Sequence, residues 1–154
     1  MMYWIVIVGM LVLGNPNDTA INLNPVIIEE NYNPESKQIY EDLKVVYPLV
    51  LKISREYKVY KSGKVGKEEF ADSFEDQFYS ILLKLTKSQG KLIVKLIHRE
   101  LGKTAYELCV ELRGSFRASI YQKTAEFVGN DLNSKYDKLK DKSIENIIIH
   151  NEWK

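Results

Sequence analysis

Ser88 and Lys91 stand at the spacing Ser-x-x-Lys, in which a serine at a helix start lies one turn before a lysine able to take its proton. That chemistry would make Ser88 a nucleophile, Lys91 its general base and the protein a serine hydrolase. The sequence offers neither a Ser-Asp-Asn nor a Lys-Thr-Gly partner, and helix capping explains the same residues, so capping is the preferred reading. Gly102-Lys103-Thr104 copies the end of a phosphate-binding loop, but Ile97 stands where that loop requires its first glycine. No nucleotide site is expected there. His98 and His150 are the only histidines and lie far apart, without the third ligand a metal centre needs, so both are read as solvated surface positions. The lone Cys109 excludes an internal disulfide and a thiolate zinc cluster. Asn17-Asp18-Thr19 is formally a glycosylation acceptor, a pattern that arises easily by chance in an Asn-rich stretch. No cofactor is expected.

A basic row is the more informative local feature. Lys87, Lys91, Lys95 and Arg99 recur every four residues and would line the outer face of one helix. Like charges at this spacing repel by a few tenths of a kcal/mol per pair, so an anionic counterpart is expected. It is either internal, from Glu107 and Glu111 or from Glu68, Glu69, Asp72, Glu75 and Asp76, or external: an acidic partner, a phospholipid headgroup or an anionic wall polymer. The internal reading is the ordinary one.

These residues need helices to position them. Ile39, Leu43, Val46, Val50, Ile53, Tyr57 and Tyr60 recur at alternating spacings of four and three, the period of a helix burying one seam. Asn33-Pro34 supplies a cap and a proline at the first helical position. Pro48 lies inside the seam without shifting its phase, which predicts one kinked helix rather than two. After the turn at residues 61–66, Phe70, Phe74, Phe78, Ile81, Leu82 and Leu85 predict a second helix completing an antiparallel hairpin.

Thr86 and Gln89 form a capping-box pattern, Gly102 a helix stop, and Thr104 with Glu107 a second box. Between them, residues 91–112 also fit a β-hairpin turning at Gly102. Helices are preferred, because Leu92, Ile93, Leu96, Ile97 and Leu101 share one face opposite the basic row, with only Val94 misplaced. Ser115 is read as the cap of a further helix with Phe116, Ile120, Thr124, Phe127 and Val128 inward, ended by Gly129-Asn130. Ser143 to Ile149 fits a short terminal helix. The expected fold is all-α: a hairpin with a proline-kinked first helix, packed against about three shorter helices, with a possible short strand at Val26-Ile27-Ile28.

With 154 residues, the chain suits one domain able to bury most of its apolar surface. Its net charge of +1 produces no overall field steering it to nucleic acid. Tyr3 to Leu13 is an uncharged apolar run, too short to span a bilayer but suited to a signal-peptide core, with small residues allowing cleavage after Gly14. No Lys or Arg precedes it, so a start upstream of Met1 is also open. A lipoprotein anchor is not expected, for want of an early cysteine. The expected organisation is an export or anchoring segment over 1–14, an irregular arm over 15–33 and one helical domain over 34–154.

The stretch from Leu85 to Tyr136 resembles an uncharacterised bacterial family, the domain of unknown function numbered 4294, best known from Bacteroidetes. The resemblance rests on Leu85-Thr86, Ser88-Gln89-Gly90-Lys91-Leu92-Ile93, Lys95-Leu96-Ile97, Arg99, Gly102, Tyr106-Glu107-Leu108, Leu112-Arg113-Gly114, Ala118, Gln122 and Leu132 to Tyr136-Asp137, with Tyr47-Pro48 upstream. His98 departs from the acidic or amide residue expected there. The resemblance implies a helical envelope protein and supplies no activity. Arg113 and Gln122, within it, join the basic row as candidate binding residues. The expected function is a non-enzymatic binding or structural module of the bacterial envelope, periplasmic or membrane-tethered, whose partner is an envelope protein or an anionic wall or lipid component. The alternatives are a hydrolase using Ser88 and Lys91, and a cytosolic interaction module with a buried N-terminal run.

Overall fold

The computed structural model describes residues 33–82 and 84–153. The expectations placed on residues 1–32, namely the export segment, most of the arm and the short strand, lie outside the described residues. Six helices follow in order: α1 (Pro34–Lys61), α2 (Lys67–Leu82), α3 (Lys87–Leu101), α4 (Ala105–Arg113), α5 (Ser115–Phe127) and α6 (Lys142–His150). There is no strand among the described residues, so the hairpin alternative for residues 91–112 gives way to α3 and α4.

Local chemistry sets the ends of these helices. Asn33 Oδ1 accepts from Ser36 N at 2.8 Å, with Pro34 opening α1. Both capping boxes form: Thr86 exchanges hydrogen bonds with Gln89, and Thr104 with Glu107. The Thr104 backbone N–H, donating to Glu107 Oε2 at 2.7 Å, also holds the Glu107 carboxyl below its usual range. Gly102, at φ 67°, closes α3 in the left-handed conformation that glycine adopts without steric cost. Proline-kinked α1 runs unbroken through Pro48, and Leu43, Val46, Val50, Ile53 and Tyr57 of its seam are buried.

α3 packs between α1 and α4. α1 packs most closely against it rather than against α2. Leu92, Ile93, Leu96 and Ile97 are buried as the wheel predicts, and so is Val94. Val94 faces a second side of α3, where it lines a cavity together with residues of α2, α4 and α5. Phe70, Phe74 and Phe78 of α2 add a run of ring contacts, the last two stacked with centroids 5.3 Å apart.

α5 differs from expectation. Gly114, not Ser115, is its N-cap, and no side chain caps it. Phe116, Ile120, Phe127 and Val128 face outward, Phe127 being 93% exposed, while Ala118 and Ala125 are buried. The reason lies in the joint. One residue separates α5 from α4, at φ 84°, so the two helices must pack closely, and the face carrying two alanines allows that approach where phenylalanines would not.

The chain between α5 and α6 is non-helical but well bonded. Leu132 O accepts from Tyr106 N at 3.0 Å, and Leu132 is buried. Asn130 lies against Gly90 of α3, where a Cβ would sit 2.5 Å from Asn130 Nδ2. A glycine inside a helix ordinarily costs about 1 kcal/mol against alanine. Here contact with a buried side chain requires it. Gly90→Ala is therefore expected to destabilise the fold by about 1–2 kcal/mol despite its better propensity. In urea titrations, adding Asn130→Ala should return most of that loss, whereas additive effects would refute the contact.

Candidate functional site

The Ser88 region sits where the first turn of α3 meets α1. Asp42 of α1 is 5% exposed, and its carboxylate accepts from Ser88 Oγ at 2.8 Å, Gln89 Nε2 at 3.1 Å and Gln38 Nε2 at 3.2 Å. A buried carboxylate needs such donors, and the positive end of the α3 dipole favours its charge. Ser88 Oγ thus donates its hydrogen bond to a structural carboxylate. Lys91 makes no contact with it. The signal for Asp42 was present in the sequence, because a charge three residues from Ile39 falls on the seam of α1 and must find partners.

The basic row divides in two. Lys95 pairs with Asp141 at 2.7 Å, and Arg99 grips both oxygens of Glu145, at 2.8 and 3.2 Å. Arg99 Nη1 also donates to Tyr47 Oη at 3.0 Å and contacts Glu100, while Tyr47 Oη donates to Glu100 at 2.9 Å. Tyr136 Oη completes the cluster by donating to Glu145 at 2.8 Å. The hydrogen bonds from Arg99 hold the Glu145 carboxyl down to about 2. Burial, reinforced by Glu100, pushes the Tyr47 phenol up to about 12, and burial beside Glu145 raises Tyr136 further. This cluster ties the terminal segment to α1 and α3.

The counterparts of the row are therefore internal for Lys95 and Arg99, but they come from the tail and not from the acidic groups expected. Glu111 is engaged by Lys61 at 3.3 Å and by Lys103, and Glu107 caps α4. The acidic face of α2 pairs with Arg113, through Glu68 at 2.9 Å, Glu75 at 2.8 Å and Asp72. Gln122 fastens the chain after α5, donating to Glu126 at 2.7 Å and Asp131 at 2.9 Å while accepting from Leu132 N at 3.0 Å. Arg113 lies apart from the row, against α2, while Gln122 holds Glu126 and Asp131, which share a groove with Lys91 and Lys95.

Lys87 and Lys91 remain. Both are exposed, and neither has an ion-pair or hydrogen-bond partner among the described residues. Lys91 and Lys95 form one wall of a polar groove whose other wall carries Glu126, Asp131 and Ser134. The stem of Lys87 passes over Gly129, whose φ of 78° and missing side chain both suit that crossing.

The histidines correct the sequence reading in part. His150 is exposed, but His98 is half-buried, and its Nδ1 accepts from Tyr136 N at 3.1 Å. It fixes the tail instead of facing solvent. Among the described residues no group of three potential ligands gathers for a metal ion, and no helix is long and apolar enough to cross a membrane.

Sequence reasoning missed a cavity beneath α5. Phe74, Phe78, Val94, Ala125 and Leu132 line it, together with Cys109 and Asn130. Burial pushes the Cys109 thiol up to about 12, which leaves it protonated and a poor nucleophile at neutral pH. No spacing rule could have joined residues so far apart in the chain.

A family model described as Domain of unknown function (DUF4294) matches residues 19–150. No curated protein and no solved structure matches the chain.

Proposed function

We propose that this chain, which belongs to the DUF4294 family, is a non-enzymatic module of the bacterial cell envelope that docks an anionic envelope component on Lys87 and Lys91. One observation carries the reading: of four cations in a row, two are spent on the fold, while the two at the start of α3 are exposed and make no ion pair among the described residues. Exposed lysines lose little hydration until an anionic surface approaches, so they favour a salt-sensitive, charge-matched contact. The apolar run from Tyr3 to Leu13 supports export or tethering. The hydrolase alternative has less support, because Ser88 Oγ is held by Asp42 and makes no hydrogen bond to Lys91.

The test is binding of the full chain to isolated envelopes at low and high salt. Replacing both Lys87 and Lys91 by Gln should reduce the salt-sensitive fraction severalfold with the melting temperature unchanged, since the two make no internal bond. Equal binding by the double variant would refute the docking site. A fluorophosphonate probe addresses the alternative: no labelling of Ser88 is expected, and labelling lost in Ser88→Ala would establish hydrolase chemistry.

A further inference from the structure

α5 buries its alanines and turns its large apolar side chains outward. Phe116, Ile120, Lys123 and Phe127 follow at spacings of four, three and four, which sets them within about 60° of arc along the length of the helix. All four are exposed, Phe116 at 78%, and Val128 extends the patch past the last turn. Rings exposed in a row mark an interaction surface. The free charges beside them are basic. Lys123 has no ion-pair or hydrogen-bond partner among the described residues, and Arg117, at one edge of the stripe, reaches Glu75 only at 3.8 Å. Glu126, at the other edge, is engaged by Gln122 at 2.7 Å. Beyond Phe127 the chain turns at Gly129 beneath the stem of Lys87, so the stripe runs into the lysine pair at the start of α3.

Resting on the docking role of Lys87 and Lys91, we propose that the anionic component is a phospholipid bilayer, and that Phe116, Ile120 and Phe127 enter its headgroup region while Lys123 and the lysine pair meet lipid phosphates. The place of Lys123 favours lipid over protein. It stands between Ile120 and Phe127, in the middle of the stripe, whereas the cores of protein interfaces are depleted in lysine because its ammonium would lose water without a counterion. At a bilayer surface the stem of such a lysine lies along the acyl boundary and its ammonium reaches back to the phosphates. The stripe is also small. It offers three large apolar side chains, against the roughly 20–30 residues that each side of a stable protein interface contributes.

The apolar run from Tyr3 to Leu13 can itself hold the full chain on a vesicle, so the test needs a local readout. An environment-sensitive fluorophore is attached through Phe127→Cys or, as the reference, through Lys52→Cys on α1; Cys109 is buried with its thiol protonated and stays unlabelled. The vesicles are equal parts phosphatidylcholine and phosphatidylglycerol and carry nitroxide quenchers on their acyl chains. Emission from position 127 should be quenched severalfold more than emission from position 52. That quenching should fall severalfold on phosphatidylcholine alone, and again when Phe116→Ser is added, with the melting temperature unchanged. Equal quenching at the two positions, or quenching indifferent to Phe116→Ser, would overturn the proposal. So would a dimer in sedimentation velocity that Phe116→Ser with Phe127→Ser separates, since the stripe would then be a protein interface. The two readings fail separately. Loss of envelope binding on replacing Lys87 and Lys91 by Gln, without quenching at position 127, overturns the lipid contact and leaves the docking site standing. Quenching at position 127 with undiminished envelope binding by that lysine variant sustains the lipid contact of α5 and overturns the docking site.

Discussion

Arg99→Ala is expected to destabilise the protein by roughly 3 kcal/mol, the scale on which loss of one partner strands a largely desolvated charge. Arg99 is 17% exposed, and its removal leaves Glu145, Glu100 and the Tyr47 hydroxyl without their shared donor. Arg99→Lys should recover only part of the loss, because a single ammonium cannot reproduce the two-pronged grip on Glu145. The same cluster predicts a pH dependence. Glu145 is held down to about 2 in the folded protein, against about 4.3 in an unfolded chain. A depressed carboxyl contributes stability above its unfolded value and loses it as pH falls toward the folded value. Urea titrations should therefore show this contribution complete at pH 6 and declining from about pH 5 toward pH 2. In Glu145→Gln that part of the decline should vanish, and an unaltered slope would refute the assignment.

Leu96→Ala is expected to cost about 2–5 kcal/mol, whereas Phe127→Ala, a larger truncation, should cost no more than about 0.5 kcal/mol. Leu96 is fully buried on α3, and Phe127 stands almost wholly in solvent. The pair separates the two possible orientations of α5. Were the helix turned to bury Phe127, as its apolar period suggests, both truncations would be severe. Chemical denaturation of the two variants side by side decides between them.

The contrast between those two helices shows what the amino-acid sequence carries. The ends of α3 and α4 were legible because a capping box joins residues three apart, and the seam of α1 because a helix repeats its face locally. The face of α5 was not. Its larger apolar residues mark one side and its alanines the other, and the choice rests on how closely a one-residue joint at Gly114 brings it to α4. The partners of Lys95 and Arg99 were hidden for a related reason. Asp141 and Glu145 lie 46 residues further along, so only the return of the tail over α3 brings them there. Asn130 and the cavity it lines belong to the same class, since the chamber exists only where α2, α3, α4 and α5 meet.

The docking role of Lys87 and Lys91 is the claim on which the functional account depends, and crosslinking in living cells tests it most directly. A photoreactive side chain would replace Lys91 in one variant and Lys52, an exposed residue of α1, in another, followed by fractionation. An adduct is expected at position 91 that sediments with the envelope, is absent at position 52, and disappears when Lys87 is also changed to Glu. A protein recovered from the cytosol, or adducts of equal yield at both positions, would contradict it.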